Sequence, residues 1–396
     1  MTTLATRRRR DERTPVVDEN RLRFTLREFG GGLGDLGTFL PLAAAMAIAN
    51  RMDLSVVFLF AGLMNITTGL LFRQPIPVQP MKAIAAVAIA EGLSPGSIAA
   101  SGMVMGVVMA LLALTGTASW IDRVVPRPVI RGIQAGVGAT LVLRGMSWIV
   151  ALPPVGIDSW LMAVILGVAV ALTVSRTIPI ILIVFIGGLA VAALRDGGAA
   201  MNLSLKTPTL GLVRPAGSEW ITGLTRGALP QLPLTVLNSV LAVCALSGDL
   251  FPGRGVSPRR MALSVGMMNL LCVPFGAMPM CHGSGGLAAQ HRFGARSGGS
   301  VIMLGVGMVL CAFALGVALL PLIRGFPRSA LAVMIIAAGL SLMKPARESL
   351  RSSPNGVVML ATAGAIVAVG TLEGVAAGCA VLFILKIAAH WPGRQR

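Results

Sequence analysis

Long apolar runs alternate with short polar breaks from residue 29 to residue 390. Windows such as 97–118, 159–175, 178–194, 300–322 and 356–370 carry almost no charge. A helix needs about 20 such residues to cross roughly 30 Å of hydrocarbon. The runs are continuously apolar and lack the period of two that marks a transmembrane barrel strand. The pattern predicts an all-α polytopic membrane protein. Spans are expected near 29–49, 55–72, 75–91, 97–118, 130–150, 159–175 and 178–194. After a polar stretch at 195–220, others follow near 222–247, 261–275, 279–290, 300–322, 329–343, 356–370 and 374–390. The count is 14 segments, seven in each half, and the third and tenth are too short to cross as plain helices.

The halves resemble each other. GLMN at 62–65 recurs as GMMN at 266–269, and the same spacing carries Pro75 onto Pro279. VVPRPVI at 124–130 is similar to GFPRSAL at 325–331. An odd number of spans per half sets the repeats in opposite orientation. Inverted repeats with interrupted helices at matching positions mark secondary transporters. The expected division is a disordered basic tail at 1–27, a first repeat at 28–194, a linker at 195–220, a second repeat at 221–390 and a short tail at 391–396.

Charge supports a membrane assignment over a nucleic-acid one. The formal net charge of +18 accompanies only 12% charged residues, about half the share in soluble domains. With the N-terminus inside, Arg123, Arg127, Arg131, Arg176, Arg254, Arg259, Arg260, Arg292, Arg296, Lys344, Arg347 and Arg351 all fall on the cytoplasmic side. Arg51, the 195–220 linker, Arg324 and Arg328 fall outside. The bias follows the positive-inside rule and places both termini in the cytoplasm. Arg7, Arg8, Arg9, Arg10 and Arg13 form a tail suited to anionic lipid. It lacks the short apolar region of a cleaved signal peptide and any transit-like amphipathic pattern, which points to a bacterial inner membrane. Five scattered cysteines and three scattered histidines give no metal or cofactor constellation.

The chemistry concentrates in the broken segments. PIPVQP at 75–80 cannot be helix, because proline fixes φ and removes a donor. Extended backbone at membrane depth is tolerated only when it is buried in protein or lines a cavity. A short helix begins near Met81, and its first N–H groups and dipole present positive charge. GAMPMCHGSGGLAAQ at 276–290 repeats the device with Pro279, Gly283, Gly285, Gly286 and Ser284. Two such ends facing each other suit an anion. Asp35 and Thr38 lie in the glycine-rich frame of the first span, and Gln231, Thr235, Asn238 and Ser239 lie on the eighth. Intramembrane polar groups are functional candidates by default. Asp35 is a candidate coupling-proton site, with hydrogen bonding to the glycine loop as its alternative role. Lys82, just after the broken strand, either lends positive charge to the anion site or, as the favoured reading, serves at the surface or in structure, and Asp249 is assigned to a helix end.

At these motifs the sequence resembles the molybdate transporter family, relatives of the sulfate permeases. The matching stretches are FGGGLGDLGTFLPLAAAMA, PIPVQPMKAIAAVAIAEG, LPQLPLTVLNSVLAV, LSGDLFP and GAMPMCHGSGGLAAQHRFGARSGG, in the family's order from about residue 26 to 345. The resemblance implies the seven-plus-seven inverted-repeat fold of sulfate and uracil permeases. It implies a core domain from 28–118 and 221–322 that moves against a gate domain from 130–194 and 329–390. It places substrate between the third and tenth segments, at Gln79, Pro80, Met81, His282, Gly283 and Ser284, lined by Thr38, Gln231 and Asn238. The chain ends soon after its last span, without room for the C-terminal regulatory domain of sulfate permeases.

The expected function is secondary active import of molybdate by alternating access, with H+ as a candidate coupling ion and no cofactor. Sulfate, bicarbonate or a nucleobase are the rival substrates within the fold, and a channel or membrane enzyme the remote alternatives. Ser284 beside His282 is the only pair that invites an enzymatic reading, and i, i+2 neighbours do not face each other on a helix. A homodimer through the gate domain is expected by analogy.

Overall fold

The computed structural model describes residues 21–117, 126–173, 180–195, 207–314, 322, 325–351 and 353–390. The arginine tail up to residue 20, Arg123, Arg176, Arg324, residues 196–206 of the linker and the stretch 391–396 lie outside the described residues.

The first half runs α1 (Leu26–Leu33), α2 (Leu36–Asn50), α3 (Leu54–Phe72), β1 (Val78–Pro80), α4 (Lys82–Glu91), α5 (Pro95–Thr115), α6 (Arg127–Val150), α7 (Trp160–Thr173) and α8 (Ile180–Arg195). The second runs α9 (Gly217–Leu250), α10 (Pro258–Cys272), β2 (Met280–His282), α11 (Ser284–Arg292), α12 (Gly299–Ala314), α13 (Arg328–Met343), α14 (Ser353–Ala368) and α15 (Thr371–His390). Among the described residues, α3, α5, α6, α9 and the helical run Arg328–Arg347 are long and apolar enough to cross a membrane. The pair α1–α2 qualifies as one bent span, and α7, α8, α12 and α14 are shorter apolar helices. This is a mostly helical, multi-pass membrane protein.

Local chemistry sets the boundaries. Pro126 and Pro327, paired by the sequence repeat, each cap a helix start in extended conformation, before α6 and α13. Ser94 and Ser257 cap α5 and α10 by accepting from Ser97 N–H and Arg260 N–H. The uninterrupted span expected at 29–49 is instead broken after Leu33 and bends by 47°. Its glycines explain the approach there, because a methyl on Gly32 would lie 2.8 Å from the Ser300 carbonyl oxygen. In α9, Pro230 and Pro233 withdraw two donors, and the backbone answers with wide π turns at Gly223–Ala228 and Thr235–Leu241.

The packing is two-fold in pattern. Helix α3 packs along α12, and its repeat equivalent α10 packs along α5. Helices α6 and α13, also equivalents, pack on each other. On the same axis β1 and β2 pair antiparallel, with Val78 opposite His282, Gln79 opposite Cys281 and Pro80 opposite Met280. The strands themselves start at equivalent places, Val78 and Met280, which makes Pro77 the counterpart of Pro279, two residues off the Pro75 equivalence expected from the GLMN spacing. The recurring asparagine has a reason: Asn65 Oδ1 accepts from Val78 N–H at 3.0 Å, and Asn269 Oδ1 accepts from Met280 N–H at 2.9 Å. Each holds the extended strand of its own half, whose backbone would otherwise go unpaired at membrane depth.

Candidate functional site

The strand pair brings the starts of α4 and α11 together at the centre of the molecule. Gln79 points from β1 into α11, where a methyl on Gly283 or Gly286 would collide with its amide. Only glycine leaves that space. Gln79 Nε2 donates to Asp35 Oδ1, and both residues are buried, 1% and 2% exposed. Gln79 Oε1 is buried with no hydrogen-bond partner among the described residues. Asp35 sits at the break between α1 and α2, beside Gly286, and makes no side-chain cap to α2. The glycine-rich frame thus delivers a carboxylate to the N-terminal turn of α11, which itself has no side-chain cap.

Gln231 holds the corresponding place at α4. Its Oε1 accepts from Ala83 N–H at 2.8 Å and Ile84 N–H at 3.3 Å, and its Nε2 donates to Thr235 Oγ1 at 2.9 Å. A side chain from the second half thereby takes two of the free donors of the first half's short helix. Removing it would leave two buried N–H groups unpaired, at about 1–3 kcal/mol each. Gln231→Leu is therefore expected to lower the thermal midpoint of the purified protein by several degrees; an unchanged midpoint would show that the cap contributes nothing.

The other expected residues divide between three places. Pro80 and Met81 belong to the strand turn, where Met81 N–H donates to the Pro279 carbonyl at 2.9 Å. Gly283 caps α11, and half-buried Ser284 is its first residue. His282 is fully enclosed: Nδ1 lies 3.1 Å from the Pro77 carbonyl, Nε2 3.0 Å from Ser264 Oγ, and Phe72 packs edge-on at 5.9 Å. Its side chain ties the two strands, leaving the neighbouring backbone as what it presents. Thr38 lines a cavity of about 30 Å³ with Lys82, Leu141, Ser341 and Leu342. Space of that size admits about two waters. Asn238 lies apart, in a cavity of about 320 Å³ with Arg127, Arg131 and Gln134.

One group was left open by the sequence reading and one escaped it. Lys82, read there either as a charge for the anion site or as a surface or structural residue, lines the cavity beside Thr38. Its position as first residue of a helix that starts at membrane depth was the available signal. Arg127 and Arg131 were read only as boundary charges, and nothing in their spacing shows that α9 stands across from them. Among the described residues, no three His, Cys, Asp or Glu side chains come together to hold a metal ion.

A family model described as "Molybdate transporter of MFS superfamily" matches residues 27–141 and 223–342. The two blocks are equivalent parts of the two halves and contain every residue of the central cluster. Molybdate transporter 2 of Arabidopsis thaliana is 35% identical over 405 residues, covering 91% of this chain and 87% of that protein. The fold is similar to the transmembrane domain of a cyanobacterium bicarbonate transporter, with a TM-score of 0.65 at 16% identity, covering 89% of this chain and 96% of that one. It is also similar to the murine Solute Carrier 26 family member A9 anion transporter in the inward-facing state, with a TM-score of 0.68 at 16% identity, over 92% of this chain and 69% of that one.

Proposed function

The chain belongs to the molybdate transporter family, and from that premise we propose that it carries molybdate across a membrane by alternating access at the meeting point of β1, β2, α4 and α11. In this reading the chain crosses 14 times as two inverted seven-segment repeats, with discontinuous third and tenth segments. A core domain from 28–118 and 221–322 slides against a gate domain from 130–194 and 329–390. Both termini are cytoplasmic, in a bacterial inner membrane, and a homodimer through the gate domain completes the expectation.

One observation carries the proposal: where the two halves meet, Gln79 fills the glycine notch at the uncapped start of α11 and is bonded to Asp35, with Lys82 lining the cavity beside Thr38. Neutral donors and a helix dipole hold a dianion without the depth of binding that would prevent release. The candidate contacts are Thr38, Gln79, Pro80, Met81, Gln231, His282, Gly283 and Ser284, with His282 contributing through its backbone and Gln231 through its hold on α4; Asn238, in its separate cavity, leaves the list.

Coupling falls to Asp35. A dianion moving to the negative side of a membrane is opposed by about 2.3 kcal/mol per charge per 100 mV, so a co-transported cation or a steep gradient is needed. Ionised, Asp35 takes the Gln79 Nε2 donor and leaves Gln79 Oε1 without a partner. Protonated, its O–H donates to Oε1 instead, and the amide turns its two hydrogens toward the anion. Proton binding and anion binding then support each other through one side chain.

The test is labelled-molybdate uptake into proteoliposomes, with sulfate and tungstate as competitors, across pH, in the native protein and in Asp35→Asn. Saturable uptake poorly displaced by excess sulfate, with pH dependence lost in Asp35→Asn, is the expected result. Equal displacement by sulfate would make the protein a general oxyanion carrier. A pH response that survives in Asp35→Asn would remove Asp35 from the coupling role.

A further inference from the structure

The small cavity at Thr38 lies between two packing units. Helices α2 and α4 reach it from one side, and α6, α8 and α13 reach it from the other. In the second group α6 and α13 are locked together. A methyl on Gly138 would stand 2.7 Å from the Gly339 carbonyl oxygen, and one on Gly339 would stand 2.6 Å from the Gly138 carbonyl oxygen and 3.1 Å from Leu141 Cβ. This seam fixes α13 on α6 and sets Leu141, Ser341 and Leu342 in one wall. Across the cavity the approach is looser. A methyl on Gly37 would meet only Ile181 Cβ, at 3.9 Å, an ordinary van der Waals contact.

Three polar residues enter the lining: Thr38 from α2, Lys82 from α4 and Ser341 from α13. The first two adjoin the central cluster. Thr38 N–H donates to the Asp35 carbonyl at 2.9 Å, and Lys82 is the first residue of α4. Ser341 comes from far along the chain, and its hydroxyl is uncommitted. A serine or threonine inside a helix can bond back to the carbonyl four residues earlier. Thr140 does so to Gly136 at 2.9 Å, and Thr362 to Val358 at 2.7 Å. Among the described residues the Ser341 hydroxyl makes no such bond to Ala337 or to any other group, and neither does that of Thr38. Ser341 is exposed where it lines the cavity.

We propose that Ser341 is a substrate contact supplied by the gate side, its hydroxyl donating to one oxyanion oxygen while Thr38 and Lys82 hold others; the inference rests on reading the chain as an oxyanion carrier. A cavity of about 30 Å³ holds about two waters, so an anion of five heavy atoms enters only as the two faces part by a small step. The looser approach at Gly37 and Ile181 is where they can part, and the seam at Gly138 and Gly339 carries Ser341 as part of a rigid unit. Donors on opposite faces reach one anion only while those faces are close. The contact from Ser341 therefore favours the closed arrangement, and the gap across the cavity sets which size of tetrahedral anion all three groups reach at once. On that ground Ser341 helps to separate molybdate from the smaller sulfate. It lies two residues before the end of α13, on the side that the positive-inside reading makes cytoplasmic.

The experiment titrates labelled molybdate, with sulfate as competitor, onto the purified native protein and onto Ser341→Ala and Ser341→Thr. Ser341→Ala is expected to weaken molybdate by about tenfold or more, since hydrogen bonds to charged groups are the strong class. Its thermal midpoint should stay at the native value, because the hydroxyl has no protein partner among the described residues to lose. Ser341→Thr keeps the donor and adds a methyl, so it should restore most of the affinity and narrow the preference for molybdate over sulfate. Ser341→Cys, read above the background of exposed Cys311 and Cys379, should react with a membrane-impermeant thiol reagent from the cytoplasmic face and be shielded by saturating molybdate. Affinity within about twofold of native in Ser341→Ala, a loss of affinity matched by a loss of thermal midpoint, or labelling of Ser341→Cys indifferent to molybdate would each overturn the inference. Absence of saturable molybdate flux in proteoliposomes of the native protein, a result that needs no substitution, would instead sink the carrier reading.

Discussion

Gln79→Leu is expected to cut molybdate uptake by at least about a hundredfold while the protein stays folded. The substitution keeps most of the volume that fills the notch at Gly283 and Gly286, so the strand pair has no cavity to collapse into. What it removes is polar. Asp35 loses the donor that accompanies its burial, and the anion loses the amide that would turn toward it. Hydrogen bonds to charged groups contribute about 1.5–3 kcal/mol each. Two of them lost from the same step amount to two or more powers of ten in rate or affinity. Initial rates in proteoliposomes, read beside the thermal midpoint, separate this from misfolding. Uptake within about twofold of the native rate, in a folded protein, would move the substrate away from the strand pair. Gly286→Ala should act in the same direction, because its methyl enters the space shared by Gln79, Asp35 and Pro77.

The path from sequence to this site was open where composition and proline speak for themselves. Apolar runs placed most helices to within a few residues, because lipid demands length and low charge and little else. PIPVQP had to be extended, and GLMN and GMMN had to matter, although only the structure shows why: Asn65 and Asn269 each hold a strand. What stayed hidden depended on partners far along the chain. Gln231 was legible as a costly polar group, but its use of Ala83 and Ile84 N–H is set by how α9 crosses α4, 147 and 148 residues apart. His282 carried the look of a ligand, and its enclosure by Ser264, Pro77 and Phe72 is a matter of tertiary packing. The break between α1 and α2 was hinted at by glycines, yet four glycines in ten residues also suit a straight helix packed closely on another. The arginine cavity has no local signature at all, since α6 and α9 each look like an ordinary span.

Gly305→Val should prevent accumulation of folded protein, whereas Gly307→Val, two positions along the same helix, should be tolerated. Between helices in lipid there is no hydrophobic gain to drive association, so backbones must approach closely enough for dispersion and weak hydrogen bonds to act. Helices α3 and α12 do this through reciprocal glycines. A methyl on Gly62 would stand 2.6 Å from the Gly305 carbonyl oxygen, and one on Gly69 would stand 2.6 Å from that of Gly298. On Gly305 the nearest obstacles include Ile66 N at 3.0 Å, a backbone atom that cannot swing aside. Overpacking of this kind costs about 1–3 kcal/mol for a single methylene in a yielding core, and more where two backbones must part. Gly307 meets nothing within 4 Å and borders the apolar groove beside α2 and α8. Any general intolerance of α12 to β-branched residues would affect both variants alike. A folded, monodisperse peak for Gly307→Val and its loss for Gly305→Val would therefore identify the seam itself as what holds α3 and its attached strand in place. Equal behaviour of the two would mean that α12 adjusts by sliding, and that the two-fold seams are not what positions the central cluster.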